Sequence, residues 1–176
     1  GTDSAGNSGT NYGIAFGSNA LTAIDSDDGG SGNFANEPSS KTTMFFLSGS
    51  AVLNYAAGFD TGFSFYYSSS TAASVKVYDG IDATGTLLAD IPLTAQFDQG
   101  CTGDPSGGFC NWTAVGATFA GIAKSIDFGG TVNQVGYDNI TFGSSTPGTV
   151  PEPASLALIG VGLAAVLRTR RRAAQH

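Results

Sequence analysis

The sequence predicts an all-β protein in which two antiparallel sheets pack as a sandwich. Apolar and polar residues alternate along many short segments, which is the period of a half-buried strand. Turn signals recur about every 8–12 residues. Glycine accounts for 26 of the 176 residues, and no segment before residue 154 keeps a helical period, so a helical bundle is excluded. We expect jelly-roll connections between the two sheets.

Ten strands are predicted from this alternation and from the turns that interrupt it. The pattern is clearest at residues 63–67, where Phe63, Phe65 and Tyr67 share one face. Asp-Gly and Gly-Gly pairs separate the segments, and Ala57-Gly58 is predicted to end a strand as well. The predicted strands are 12–16, 21–24, 43–47, 51–56, 62–68, 74–78, 87–93, 112–119, 124–128 and 134–142.

The charge of the chain is divided between an acidic body and a basic end. Residues 1–150 contain three lysines, no arginine and 13 acidic residues, whereas residues 151–176 contain Glu152 and four arginines. An acidic body without arginine cannot neutralise phosphates, so nucleic acid is excluded as a partner. The scarcity of lysine also leaves the sheet edges poorly guarded, which favours self-association.

A short transmembrane helix is predicted at the C-terminus. Residues 154–167 carry no charge, and a helix counted from Pro151 to Leu167 would span roughly 25 Å against a hydrocarbon core of about 30 Å. It is apolar all round, and the arginines after it would anchor at the cytoplasmic face, with residues 1–150 across the membrane. A buried C-terminal helix of the sandwich is the alternative. The helix residues are Ala154, Leu156, Leu158, Ile159, Val161, Leu163, Val166 and Leu167, and the stop-transfer residues are Arg168, Arg170, Arg171 and Arg172.

The C-terminal segment resembles the PEP-CTERM sorting signal of exported bacterial proteins. Val150-Pro151-Glu152-Pro153, the apolar helix and the arginine-rich end follow one another in the order and spacing of that signal. The two prolines hold the motif extended; an ordinary linker turn is the alternative. The resemblance implies that exosortase, a membrane-embedded transpeptidase, removes the tail from an inner-membrane intermediate. It further implies a place at the cell surface or outside the cell, in an exopolysaccharide or biofilm matrix.

Two further features agree with export. The chain starts at Gly1 without an apolar leader, which predicts that a signal peptide has been removed or the start trimmed. Cys101 and Cys110 enclose a turn-rich stretch, and an even number of cysteines in an exported chain predicts a disulfide between them. Free thiols are the alternative. Zinc is a poor one, because the only histidine is His176.

The body of the chain resembles the bodies of many PEP-CTERM proteins. The segments 62–67, 77–80 and 134–142 carry this resemblance, and the last is similar to the closing strand of galactose-binding-like jelly rolls, which include carbohydrate-binding modules. Such modules often carry a structural calcium. Candidate calcium ligands here are Asp25, Asp27, Asp28 and Asp138, because carboxylates on a flexible loop are ligands that Ca²⁺ prefers. Solvated acidic turns are the alternative.

Sugar binding would use exposed aromatic rings that stack on pyranose faces. Tyr66, Tyr78 and Trp112 are the candidates, because Tyr66 alternates out of the aromatic face of residues 63–67 and the other two lie at strand ends. The alternative is that these rings belong to the core.

No catalytic site is predicted. The body has no histidine, no arginine and one glutamate, Glu37, and its cysteines are predicted to be paired. The sequence therefore predicts a structural or adhesive protein of the cell surface or matrix. A carbohydrate-binding module for the cell's own exopolysaccharide is the first alternative, and a glycan-active enzyme with paired carboxylates is the second. The predicted division is a polar segment at 1–10, the sandwich at 11–143, a flexible linker at 144–150 and the sorting signal at 151–176.

Overall fold

Ten β-strands make up the regular structure of residues 8–26, 28–39, 41–98 and 108–148, the part of the chain that the computed structural model describes. Their bounds lie within three residues of the predicted ones. They are β1 Ile14–Phe16, β2 Leu21–Ile24, β3 Thr42–Phe45, β4 Ala51–Phe59, β5 Gly62–Ser69, β6 Ala73–Tyr78, β7 Leu87–Leu93, β8 Thr113–Thr118, β9 Ala123–Phe128 and β10 Val135–Phe142.

The strands form two sheets of five. The first sheet has the order β1-β4-β9-β6-β7 and the second the order β2-β3-β10-β5-β8, and all paired strands run antiparallel. The chain crosses repeatedly between the sheets, so neighbours within a sheet are often distant in sequence. The predicted fold class, an all-β sandwich of two antiparallel sheets, is confirmed.

The core between the sheets is aromatic. Phe63 and Phe65 on β5 have no exposed surface, and each packs edge-on against Phe128 of the first sheet at a centroid distance of 6.0 Å. Tyr137 joins this cluster, and its hydroxyl donates to the carbonyl of Gly129 at 2.8 Å. Burial raises the pKa of the Tyr137 hydroxyl far above its ordinary value. The inward face predicted for residues 63–67 is therefore the centre of the core.

Three register shifts separate the observed strands from a strict period of two, and one of them lies between Val77 and Tyr78 where β6 pairs with β7. Gly58, predicted to end a strand, lies within β4, where its φ of +77° and a register shift between Asn54 and Phe59 form a bulge. A second shift follows Asp138, where Asn139 has a φ of +48°. That extra residue explains why Tyr137 and Ile140, three apart, both pack toward the core.

The described part of the predicted linker lies against the sandwich. Pro147 is buried, and the backbone N–H of Gly148 donates to Thr141 Oγ1 at 2.9 Å. Composition alone suggested a flexible spacer, but the packing of this proline and the bond to β10 fasten residues 144–148. We call residues 144–148 the strap.

Most sheet edges have structural protection. β1 and β2 are three and four residues long, and β7 carries Pro92, which has no N–H to offer a new strand. Only β8, among the four edge strands of the described sheets, is both longer than four residues and free of proline. Self-association through an edge stays a prediction, and β8 is where it would occur.

Several predicted features lie outside the described residues. They are the polar segment 1–7, Asp27, Cys101, and everything from residue 149 onward, including the sorting motif, the apolar helix and the arginines. Among the residues that are described, none belongs to a helix long and apolar enough to cross a membrane.

Candidate functional site

A groove with a volume of about 390 Å³ lies on the outer face of the second sheet. Alternation along β3 and β10 turns Met44 and Tyr137 toward the core, so Thr43 and Gly136 face outward and belong to the groove. Residues 28–39, which we call the cover loop, form one wall. Three phenylalanine rings line the groove, Phe34, Phe45 and Phe109.

The wall of the groove is held by backbone pairing and by aromatic contacts. Phe34 pairs with Phe109 in an isolated β-bridge, and the N–H of Ala35 donates to the carbonyl of Phe109 at 3.0 Å. The ring of Phe109 in turn meets Phe97 edge-on at a centroid distance of 4.8 Å. Two sequence-distant loops therefore fix the aromatic wall, which is why alternation within single strands did not reveal it.

Gly136 forms part of the groove because nothing larger fits there. A Cβ at this position would lie 2.9 Å from Thr43 Cγ2 and 3.3 Å from the ring of Trp112. The φ of Gly136 is not in the left-handed region, so the close approach, and not backbone freedom, requires glycine.

One buried polar atom in the groove has no partner. Thr43 is fully buried, and among the described residues nothing forms a hydrogen bond with its hydroxyl oxygen Oγ1. An unsatisfied buried hydroxyl costs about 1–3 kcal/mol. Asn33 and Asn133 also line the groove, whereas none of its described lining residues carries a charge. The groove thus combines apolar rings with neutral hydrogen-bonding groups, a typical composition for a small-molecule site.

The three predicted sugar-binding aromatics do not form one platform. Tyr78 lies on β6 of the first sheet, whereas Tyr66 lies on β5 of the second. Trp112 precedes β8, and its Nε1–H donates to the carbonyl of Ala35 at 3.0 Å while its ring contacts the Gly136 position. Trp112 therefore contacts both the cover loop and Gly136 of the groove.

Two of the predicted calcium ligands lie near a carboxylate that we did not predict. Asp25 and Asp138 are each 6% exposed, and both raise the pKa of Glu37 through their charge, although partial burial of Glu37 is the larger cause. Asp28 instead pairs with Lys41 at 3.3 Å. The sequence signal for Glu37 was its being the body's only glutamate.

The described carboxylates do not by themselves form a metal centre. Both oxygens of Asp138 accept hydrogen bonds from the chain: Oδ2 from Ser39 N–H at 2.7 Å, and Oδ1 from the Ser39 hydroxyl and from Asn139 N–H. Within residues 8–26, 28–39, 41–98 and 108–148, no three His, Cys, Asp or Glu side chains are grouped so that they could hold a metal ion. Asp138 thus ties the cover loop to β10, and calcium stays a prediction.

The predicted disulfide would lie beside the groove. Cys110 follows Phe109 directly and is 7% exposed, while its predicted partner Cys101 is outside the described residues. A bond between them would close the segment that leads into the groove wall. It stays a prediction.

Comparison with known proteins identifies the C-terminal signal. Residues 149–172 match the family model described as the PEP-CTERM protein-sorting motif, so the predicted resemblance is confirmed. Such a motif indicates a secreted protein that exosortase processes and that is anchored at the cell surface. No curated protein sequence matches the chain significantly.

Solved structures resemble the sandwich only distantly. One is a family 6 carbohydrate-binding module whose binding sub-sites were dissected by crystallography and calorimetry, with 16% identity and a TM-score of 0.45. Another is CsCBM6-3 from Clostridium stercorarium in complex with cellobiose, with 18% identity and a TM-score of 0.44. Each comparison covers 74% of this chain and 87% of the other. Binding of cellobiose is a property of that module, and the ligand of this chain has to be inferred from its own groove.

Proposed function

We propose that this protein is a non-catalytic, adhesive component of the cell surface or extracellular matrix, and that its sandwich attaches to polysaccharide through the groove. The observation that carries the proposal is the combination of three phenylalanine rings with the unpartnered hydroxyl of Thr43 in one groove. Apolar rings match the C–H faces of sugars, and a sugar hydroxyl would supply the partner that Thr43 Oγ1 lacks.

The charges favour an uncharged glycan. The described lining of the groove is neutral, while the body of the chain carries 13 acidic residues against three lysines. An acidic polysaccharide would be repelled by this field and would find no cation in the described groove to pair with. A neutral segment of exopolysaccharide is therefore the proposed ligand.

The composition supports binding without catalysis. The body lacks histidine and arginine, and no described carboxylate lines the groove, whereas a glycosidase needs two carboxylates about 5–10 Å apart at the bound sugar. Of the buried carboxylates, Asp138 accepts hydrogen bonds from Ser39 of the cover loop and does not line the groove.

The binding test is calorimetry and affinity electrophoresis of the full chain with soluble neutral and acidic polysaccharides. We expect binding to a neutral glycan, and Phe45→Ala should weaken it roughly tenfold or more because it removes a ring from the groove. Phe16→Ala is the matched control, since Phe16 is a 51% exposed ring on β1 of the first sheet. Equal binding by both variants, or tighter binding of acidic polymers, would contradict the proposal.

The sorting half is tested by the intact mass of the protein isolated from its native host. Removal of the segment from the Pro151 region onward would support exosortase processing through a membrane intermediate, while a mass that retains Arg168–Arg172 would contradict it. A gain of about two mass units on reduction would support the disulfide, because each sulfur then takes up one hydrogen.

A further inference from the structure

The strap ends where the sorting motif begins. Just before the strap, the N–H of Gly143 donates to the carbonyl of Gly62 at 2.9 Å, and at its end the N–H of Gly148 donates to Thr141 Oγ1. Between them Pro147 is buried and Ser144 Oγ accepts from the N–H of Thr146 at 3.1 Å. The matched sorting motif starts at residue 149, the next residue.

Two glycines make room for the strap. A Cβ on Gly116 of β8 would overlap the carbonyl oxygen of Ser145, and a Cβ on Gly62 of β5 would lie 2.8 Å from its backbone nitrogen. Neither glycine has a φ in the left-handed region, so any residue could adopt these backbone conformations. Gly62 therefore leaves room for the strap, and Gly116 leaves room both for the strap and for Ser64 of β5, whose Cβ would lie 2.6 Å from the added one.

The strap fixes how far the sorting motif can stand from the sandwich. Pro151 is three residue steps beyond Gly148, which allows at most about 10 Å of extended chain. Release of the five strap residues would add about 17 Å. An enzyme that grips an extended peptide needs several residues on each side of its reacting bond, and with the strap fastened the sandwich occupies the upstream side.

We propose that the strap is a positioning device for the sorting reaction: fastened, it limits the reach of the chain that leads into the motif, and its release admits exosortase. Gly62, Gly116 and Thr141 are then positioning residues, since they act on the motif through residues 144–148. This inference rests on the proposed processing by exosortase, but not on glycan binding.

The test measures the rate at which the full chain is converted to the processed form in a host that has exosortase, by pulse-chase. Gly116→Val and Thr141→Val should each accelerate conversion, on the order of tenfold for the glycine, because cleavage of a locally opened state follows its population. The matched controls, Gly9→Ala with no atom near its Cβ position and Thr118→Val at an exposed site on β8, should leave the rate unchanged.

A five-residue Gly-Ser insertion after Gly148 separates positioning from stability. It should accelerate processing by itself, and adding Gly116→Val to it should give no further gain, because both changes supply the same reach. If wild type is processed and the insertion or Thr141→Val leaves the rate unchanged, the strap proposal is overturned while sorting stands. If wild type is not processed at all, both are overturned.

Discussion

The two outer faces of the sandwich differ in how many of their buried polar groups have hydrogen-bond partners. On the first sheet, the loop between β6 and β7 folds back onto its own face. Asn54 Nδ2 donates to Asp82 Oδ1 at 2.6 Å, and the N–H of Asp82 donates to Asn54 Oδ1 at 2.7 Å. Ser125 Oγ donates to the carbonyl of Gly80 at 2.6 Å and accepts from the N–H of Ala83. These polar groups of the first sheet therefore have hydrogen-bond partners on their own face.

On the outer face of the second sheet, several buried polar atoms lack hydrogen-bond partners among the described residues. Thr43, Ser64 and Ser68 are fully buried, and within the described residues their hydroxyl oxygens have no hydrogen-bond partner. Among the described residues of the first face, Asp127 Oδ1 is the one buried side-chain oxygen without a partner. Because each unsatisfied buried hydroxyl costs about 1–3 kcal/mol, the second face carries three such costs in its hydroxyl groups. The unsatisfied hydroxyl groups lie on the same face as the groove and the strap. This fits the proposals that this face binds a glycan and releases the strap.

Removing Trp112 should give the largest difference between the faces. Trp112→Ala deletes the ring that packs on Gly136 and the bond to Ala35, so we expect a loss of about 2–4 kcal/mol in the free energy of unfolding. Tyr78→Ala, on the outer face of the first sheet, should cost less than about 1 kcal/mol. Urea denaturation of both variants measures the contrast.

The variant Trp112→Phe separates the role of the ring from that of the indole N–H. It keeps a ring beside Gly136 and loses only the hydrogen bond to Ala35, so most of the stability and most of the glycan affinity should remain. A Tyr78→Ala variant that is as unstable as Trp112→Ala would show that the two faces are equally built into the fold.

Deleting one polar group from each face should change stability in opposite directions. Thr43→Val keeps the shape of the side chain and removes an unsatisfied hydroxyl, so it should stabilise the fold by up to about 1 kcal/mol. Asn54→Ala leaves Asp82 without its two bonds and should cost about 1 kcal/mol. Thermal unfolding at neutral pH measures both values, and stabilisation by Asn54→Ala would refute the contrast.

The same Thr43→Val variant tests the groove. The lost hydroxyl is the proposed contact for a sugar, so glycan affinity should fall several-fold while stability rises. A variant that gains stability and keeps full affinity would place the sugar contact elsewhere on the sandwich.

The strands and the centre of the core could be predicted because a local sequence pattern encodes them. Alternation placed Phe63, Phe65 and Tyr67 in the core and located all ten strands, because a strand exposes its period of two directly. It could not show which strands are neighbours across the sheets. The groove depends on that information, since Phe34 meets Phe109 only through pairing of loops about 75 residues apart.

Predictions that relied on single residues fared differently. Trp112 was chosen as an exposed ring, but its donor reaches Ala35, which is 77 residues away in sequence. The linker was predicted from its Gly, Ser, Thr and Pro content, and the room that Gly62 and Gly116 leave for it cannot be seen in composition. The C-terminal signal needed no tertiary contacts, since its information lies in the order of motif, apolar segment and arginines.

The smallest predicted effect comes from Glu37 in the cover loop of the second face. Partial burial raises its pKa above the ordinary value, and the charges of Asp25 and Asp138 add to this. The folded protein therefore binds this proton more tightly than the unfolded chain, so the ionised carboxylate destabilises the fold above the folded-state pKa. This penalty disappears as the pH falls through that pKa toward the unfolded value.

We expect Glu37→Gln to raise the midpoint of thermal unfolding by roughly 1–3 °C at pH 7, since the side chain is partly solvated. The difference between variant and wild type should vanish at acidic pH, where both are neutral at this position. If the predicted calcium binds at Asp25 and Asp138 and Glu37 joins them, about 1 mM Ca²⁺ should stabilise wild type more than Glu37→Gln. A Glu37→Gln variant that is less stable than wild type at pH 7 would contradict the predicted penalty, and a loss that appears only with added Ca²⁺ would assign the stabilisation of the carboxylate to that cation.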